Sequence, residues 1–500
     1  MKKKFLYLLF IAGFMCSSCN DWLSTGTITE IEGPDMLNTE NGYKSVLTGV
    51  YLQSGEQSLY GANTSWYFLD AIAYPYKAES GWRYYIKHNG YLNTTVSTIT
   101  DAIWNKMYNN IANINYALRY IDKKKELFDE KSYQIIKGEM LGLRGFFHFD
   151  LLRMYGVGNL QNREGIEEKL TIPYVIDFSK ELAEQVSYKT AIEKILDDLD
   201  AAEKLLAAAD PIYKGNANVD YSDINYDDFF SNRTLHMNYY AVKATEARVY
   251  MWEGSQASLA KAEAAAQEVI DNSGSNWADI ESLSNTDLSK RDYTFTSEYI
   301  FGLYVYNLAS IVNNALSAET TNTDACQIES YTVENGIFTT TEYDSDWNPI
   351  PTEDVSDIRY ARLLENGNDV YYPVKLRQMT DSYSLFTKRI PLIRLPEMYF
   401  IKAECQAKAG NNEEALKTID IVRHHRGLTS SLSADKDALT VLTSEYMKEF
   451  IMEGQFFFYC KRNGLESVND SYDSPIVSFS DDIYLIPFPT AELEQNRIQE

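Results

Sequence analysis

The sequence predicts a mainly α fold built from antiparallel helical hairpins, with long irregular loops and a few short strands between them. Three observations predict it. Residues 392–427, LIRLPEMYFIKAECQAKAGNNEEALKTIDIVRHHRG, set Leu395, Met398, Tyr399, Ala403 and Ala407 at spacings of three and four, one apolar face at helical period. Gly410 stops that helix, because glycine takes the left-handed conformation at a helix end. Asn411 or Asn412 is placed to cap the next helix, whose inner side is Ala415, Leu416, Ile419 and Val422 and which ends at Gly427. The second observation is a repetition. In residues 236–270, Ala247, Tyr250 and Gly254 fall at the same offsets from the turn, and Ala260 and Ala264 continue into a second helix. The third is long helical periodicity upstream, over 101–122 (Trp104, Tyr108, Ile111, Ile114, Leu118 on one face), 132–156 and 188–209, the last stopped by Pro211.

Counted from the turn glycine, the small–Gly–small spacing resembles a tetratricopeptide repeat. Any amphipathic hairpin accounts for one such copy; two independent copies favour the repeat. The expected fold is therefore tetratricopeptide-like helical hairpins forming an α-superhelical scaffold.

The remaining stretches are taken in chain order. Lys2, Lys3 and Lys4 precede an apolar run over 5–15. It is too short to span a bilayer, which needs about 20 residues, and has the form of a signal peptide. Cys16-Ser17-Ser18-Cys19 follows and resembles a bacterial lipoprotein signal. Cys19 is the better lipid acceptor because the bulky Met15 precedes Cys16; ordinary secretory cleavage near Ser18 is the alternative. The expected organisation is a signal over 1–18, a lipidated tether over 19–38 and a single domain over 39–500. No later segment has 18 consecutive apolar residues. A helix is expected over 39–52. Residues 53–100 are aromatic and interrupted by Gly55, Gly61, Pro75, Gly81 and Gly90, which reads as loops with some aromatic rings exposed. Residues 271–389 lose periodicity and read as long excursions with short strands, SEYIFGLYVYN (297–307) among them. Excursions of that length tend to be functional or disordered. One late helix is expected over 444–464.

Composition excludes some functions. The formal charge is −26 and the pI about 4.7, so the basic footprint that displaces counterions from phosphate is missing and nucleic acid is not an expected partner. Cys326, Cys405 and Cys460 make an odd set without a CxxC pair, which reads as small buried thiols. GxSxG, HExxH, Walker A and Rossmann fingerprints are absent from the sequence, so no catalytic residue, metal or cofactor is expected. His424-His425 offers two imidazoles about 100° apart on a helix with no nearby carboxylate or thiol to complete a metal site.

Read together, these segments resemble the SusD/RagB family of outer-membrane nutrient-binding lipoproteins. The signal ending at Cys19, EMLGLRGFFHFDLLRMYG (139–156), ILDDLDAAEKLL (195–206), the two hairpins, SEYIFGLY, EFIMEGQFFFYCKRNG and LIPFPTAEL carry the likeness in the family's order. Three departures stand in scaffold segments: Glu445-Tyr446 for Glu-Arg, Arg462-Asn463-Gly464 for Arg-Trp-Gly, and Asn496-Arg497 for Asn-Pro. The resemblance implies about four repeat-like hairpins and ligand-holding loops at 53–100 and 271–389. It also implies a location, lipid-anchored on the outer membrane facing the cell surface, and a SusC-like TonB-dependent transporter as partner, to which the protein delivers an oligosaccharide; some relatives take peptides instead.

Flat aromatic rings suit sugars because a pyranose presents a face of C–H groups to the π-cloud, while Tyr and Trp add a polar tip for hydroxyls. The candidate ligand residues are Trp66, Trp82, Tyr84 and Tyr85, with Arg83 and Asp70 as polar partners, and Trp277 and Trp347 in the later excursion. Each is equally open to being loop or core packing. Trp82→Ala is expected to weaken ligand binding without moving the thermal midpoint. The competing functions are glycan capture, a peptide- or protein-binding repeat scaffold, and, least favoured, a glycosidase, for which two carboxylates at the right separation are required.

Overall fold

The computed structural model describes residues 36–179, 182–316, 325–379, 386–470, 472, 474–494 and 498. The signal segment, Cys19 and all but the end of the tether lie outside the described residues. Leu37 is already in the core, and Lys124 Nζ donates to its carbonyl at 3.1 Å.

The fold is mainly α. We label the helices α1 Glu40–Ser54, α2 Phe68–Ala73, α3 Gly81–Asn89, α4 Thr94–Ile121, α5 Glu130–Tyr155, α6 Tyr188–Ala209, α7 Tyr239–Glu253, α8 Gln256–Asn272, α9 Leu395–Lys408, α10 Asn412–His424, α11 Ala438–Glu449 and α12 Gln455–Asn463. From α4 to α12 each helix packs against the next. That is the pattern of a helical solenoid, in which a hairpin buries its apolar face only by stacking on its neighbours.

Local chemistry explains these elements. Side chains at Thr39, Asn93, Asp129, Ser187, Asn238, Ser255 and Asp437 accept first-turn N–H groups of their helices, satisfying donors that would otherwise be orphaned. Helix α5 is buried on nearly all sides from Gly138 onward. It carries a stripe of small residues: a Cβ at Gly138 would meet Leu206 Cγ at 2.8 Å, and one at Gly145 would meet Leu199 Cγ at 3.2 Å. Those glycines let α6 lie close against α5.

The opening hairpin is α9 and α10. Ala403 and Ala415 are fully buried between them, and Gly410 takes φ +85 at the turn. Two expectations change here. Neither Asn411 nor Asn412 caps α10 with its side chain. Asn412 instead reaches the next element, accepting the Ala438 N–H at 2.9 Å and donating to the Lys436 carbonyl at 2.9 Å. In the hairpin of α7 and α8 the turn glycine, Gly254, holds φ +77 as expected, but Ala260 and Ala264 are exposed, and Ala262, Ala265, Ala266 and Val269 form the buried face.

The strands are short. They pair as β1 Leu170–Pro173 with β2 Gln185–Ser187, β3 Tyr299–Tyr304 with β9 Arg389–Arg394, and β4 Ile328–Glu329 with β8 Val370–Pro373, which also pairs with β7 Leu364–Asn366. Two hairpins complete the set: β5 Thr341–Tyr343 with β6 Pro349–Pro351, and β10 Ser467–Asn469 with β11 Pro475–Ser478. All are antiparallel, and β9 runs directly into α9.

The single late helix expected over 444–464 is two helices, α11 and α12, with a break over 450–454. Met452 and Gly454 take positive φ there, and their N–H groups donate to the buried Asp70 carboxylate, Gly454 at 2.8 Å. The break also turns Glu453 inward. Arg394, Arg426 and Arg359, all under 3% exposed, meet Glu298, Glu445, Glu449 and Glu453 there. Arg394 Nη1 lies 2.8 Å from both Glu298 and Glu449, Arg426 Nη2 lies 2.8 Å from the same two, and Arg359 Nη2 lies 2.8 Å from Glu445. This buried ion network joins β9, α10 and α11 to the segment before β3. Cys326, Cys405 and Cys460 are buried free thiols, as expected; burial pushes the Cys405 thiol up to about 12.

Candidate ligand-binding cleft

The stretch over 53–100 is not a set of exposed loops. Residues 55–67 form a tight irregular coil on the end of α1, closed by backbone bonds such as Tyr60 N–H to the Ser54 carbonyl and Gly61 N–H to the Glu56 carbonyl. A Cβ at Gly61 would lie 2.3 Å from the Gly55 carbonyl oxygen, so the coil requires glycine at that position. Its aromatic residues point inward and satisfy their polar tips at long range. Tyr60 donates to Asp150 at 2.6 Å, Trp66 Nε1 to the Gly61 carbonyl at 2.8 Å, and Tyr74 to the Met447 carbonyl at 2.8 Å.

The sequence-derived candidates separate on this basis. Trp66 and Asp70 are buried, and Asp70 is committed to the α11–α12 break; burial lifts its carboxyl well above the ordinary range despite two backbone N–H donors. Arg83 is 1% exposed and donates to the Ala325 carbonyl at 2.8 Å, with Nη2 3.4 Å from Cys326 Sγ. These three are fold-holding groups with no face toward a ligand. Tyr84 and Tyr85 are partly exposed on α3; Tyr84 stacks on His88 at 4.0 Å. Trp277 is half-buried, stacked on His425 at 4.2 Å and packed on Tyr399, which gives His425 a packing role. Trp347 is 81% exposed at the β5–β6 turn, with φ +63.

Trp82 stands apart. Though only 7% exposed, it forms part of the wall of a cleft of ≈ 800 Å³. Its Nε1 donates to Tyr67 Oη at 2.7 Å, the two rings lie 4.7 Å apart, and the buried Arg83 guanidinium backs them at 5.1 Å and 5.4 Å. The other walls are Leu52 at the end of α1 with Gly55, Glu56, Gln57 and Ser58 after it, Thr95, Thr98, Ile99 and Ala102 on the first turns of α4, and Tyr304 at the end of β3 with Val305, Tyr306 and Asn307 beyond it. Val305 and the Tyr304 carbonyl pack against Gly55, where a Cβ would stand in ordinary contact, 3.4 Å from Val305 Cγ2 and 3.5 Å from the carbonyl oxygen. Tyr306 is 72% exposed, and Tyr304 and Leu52 are also exposed. The cleft thus joins two segments some 240 residues apart in sequence, each of which contributes aromatic surface. Tyr304 and Tyr306 escaped the sequence reading because they continue a strand; the signal present was the switch from alternation to YVYN at its end.

A second cleft of ≈ 660 Å³ is lined by Arg163, Lys461, Asp481 and neighbours. Its charged groups engage one another or the backbone, Arg163 with Asp481 at 2.5 Å and Lys461 Nζ with the Met154 carbonyl at 2.8 Å. On α6 and α7, Asp200, Glu203 and Glu246 bring carboxylates within 4.8 Å of one another, but the Lys243 ammonium sits among them, 2.6 Å from Glu246 and 3.3 Å from Glu203.

A stacked-hairpin scaffold with an aromatic cleft defines this chain as a helical-repeat protein whose non-repeat segments contribute to that cleft. Comparison with known proteins gives the family. A family model described as "Starch-binding associating with outer membrane" matches residues 31–218, and the SusD family model matches residues 362–477; the chain belongs to the SusD/RagB family. Solved structures share the fold. A SusD superfamily protein from Bacteroides thetaiotaomicron superposes with TM-score 0.67 at 23% identity, covering 92% of this chain and 99% of its own. A SusD-like carbohydrate binding protein from Bacteroides vulgatus gives 0.66 at 17%, covering 92% and 97%, and a SusD superfamily protein from Bacteroides fragilis gives 0.63 at 19%, covering 93% and 100%. No curated protein sequence matches the chain.

Proposed function

We propose that this protein is a non-catalytic, lipid-anchored surface lipoprotein that captures a glycan in the Trp82–Tyr306 cleft and hands it to a SusC-like TonB-dependent outer-membrane transporter. The observation that carries the reading is the cleft itself. Tyr304 and Tyr306 share its lining with the Tyr67–Trp82 pair, together with the hydroxyl and amide side chains of Ser58, Thr95, Thr98, Gln57, Asn63 and Asn307. Ring faces with a polar rim are what a sugar's C–H face and hydroxyls require. The absence of catalysis is supported by the lining, which offers one carboxylate, Glu56, held by Lys106 at 2.8 Å, where glycoside hydrolysis needs two. Anchoring is supported by the sequence at Cys19. Among the described residues no helix is long and apolar enough to cross a membrane.

Calorimetric titration of the purified protein against a panel of oligosaccharides and extended peptides tests the reading, with Tyr306→Ala as the site control. Heat from an oligosaccharide that disappears in Tyr306→Ala supports it. Binding of a peptide alone, or of a folded protein partner with no glycan heat, replaces it with the scaffold reading. Fractionation of cells carrying Cys19→Ala tests the anchor; retention in the outer membrane removes it.

A further inference from the structure

We infer that the cleft selects neutral glycans and rejects acidic ones, uronates and sulfated sugars alike; this rests on the glycan reading above. Of the sixteen side chains and backbone segments that line it, only Glu56 carries a charge at neutral pH, and none is Lys or Arg. The polar part of the lining is Gln57, Ser58, Asn63, Thr95, Thr98 and Asn307. Amides and hydroxyls both donate and accept, which matches sugar hydroxyls, groups that do the same. A carboxylate or sulfate only accepts, and the partner that repays its desolvation is a guanidinium or ammonium.

The cations beside the cleft stand at its margin. Lys106 neutralises Glu56 at 2.8 Å. Arg83 lies behind the Trp82 and Tyr67 rings, 1% exposed, bonded to the Ala325 carbonyl. Arg389 pairs across from Tyr304 in the β3–β9 ladder, and Lys388 Nζ sits 5.2 Å from the Tyr306 ring centroid, so the test includes Lys388. The overall charge of −26 adds a repulsive field for any polyanion approaching from solution. An uncharged wall and an already neutralised carboxylate leave an anion's desolvation uncompensated, which lowers its affinity by about tenfold or more relative to the neutral sugar.

The test is calorimetric titration of the full chain with two sets of oligomers matched in length: neutral malto-, cello-, xylo- and manno-oligosaccharides, and acidic oligogalacturonate, alginate and chondroitin sulfate fragments. Wild type is compared with Tyr306→Ala and Lys388→Ala. A neutral oligomer is expected to bind with an affinity unchanged by added salt, to lose about tenfold in Tyr306→Ala through loss of the stacking face, and to stay within twofold in Lys388→Ala. Acidic oligomers are expected to bind at least tenfold more weakly. An acidic oligomer that binds as tightly as any neutral one, with steep salt dependence and loss in both Lys388→Ala and Tyr306→Ala, overturns charge selection and leaves glycan capture standing. No heat from either set, or neutral binding untouched by Tyr306→Ala, overturns both the selection and the assignment of this cleft.

Discussion

At the scale of single residues, exposure decides which aromatic rings serve a ligand and which serve the fold. Tyr306 stands in solvent at the cleft edge, so Tyr306→Ala is expected to leave the thermal midpoint within a degree or so, because exposed substitutions away from caps and networks change little, while ligand affinity falls. Trp82 belongs to the wall and the core together. It packs on Tyr67 and Phe68, and truncating a buried Trp costs about 3–5 kcal/mol. Trp82→Ala should therefore depress the midpoint as well as binding, in contrast to the fold-neutral outcome expected from sequence; an unchanged midpoint in a thermal melt would place Trp82 outside the core. Titratable residues add a pH signature. Burial alone would raise the Glu404 carboxyl, but the Arg462 guanidinium at 2.5 Å and the Lys408 ammonium at 2.8 Å hold it at about 2. A carboxylate whose folded value lies below its ordinary 4.5 stabilises fully above that ordinary value, by about 3 kcal/mol from linkage, and loses this as pH falls toward 2. Glu404→Gln should thus be clearly less stable than wild type at pH 7, with the gap narrowed to about half by pH 3 and closing toward pH 2. Denaturation midpoints at the two pH values check it, and a gap that stays constant refutes the pairing. His148 acts in the same direction. Burial lowers its imidazole to about 3, while its Nε2 accepts the Val175 N–H at 3.0 Å, so acidification charges the unfolded state first.

Among elements, the hairpin turns were the most legible part of the sequence, because a turn glycine and the small residues around it act within a few positions of one another. Gly410 has φ +85 with nothing within 4 Å of where a Cβ would stand. Gly410→Ala therefore isolates backbone strain from packing and should cost about 1–2 kcal/mol, read as a fall in urea midpoint with no change in ligand affinity. A neutral result would show that the turn relaxes to another conformation. Helix α6 was predicted at its observed limits, since Ser187 and Pro211 bracket a strongly amphipathic run. The late helix was not, because its break is imposed by Asp70, nearly 400 residues upstream, taking two N–H groups that a continuous helix would have used internally. The inner face of α8 was misassigned for a related reason: Ala260, Ala262, Ala264, Ala265 and Ala266 all fit a helix equally well, and only the approach of neighbouring helices selects among alanines.

Across the whole molecule, the helical stack is locked to the irregular segments by buried charge. Arg426 is fully buried, with Nη1 and Nη2 on Glu298 at 2.9 and 2.8 Å and Nε on Glu449 at 2.9 Å. Arg426→Met removes one of the buried cations that balance Glu298 and Glu449, leaving Arg394 as their shared partner, and should cost about 3–5 kcal/mol, a large share of a typical domain's stability. Lys417→Ala, whose pairs with Glu413 and Glu414 are exposed, is the matched control and should leave the denaturation midpoint nearly unchanged. Equal effects in chemical denaturation would mean that the network does not stabilise the fold as drawn.

The sequence by itself determined the helical class, the hairpins, the buried thiols and the family likeness, because periodicity, turn glycines and composition act over short distances. It also marked 53–100 as aromatic. Only the tertiary structure decided which of those rings are walls and which are core. Trp66, Asp70 and Arg83 have the composition of a sugar site, yet their partners lie in the coil, in the α11–α12 break and at Ala325. The cleft, conversely, needs Tyr304 and Tyr306 brought against Tyr67 and Trp82 by the pairing of β3 with β9 and its packing on α1. Whether a ring faces water depends on what covers it, and that cover comes from residues too far along the chain for any local pattern to record.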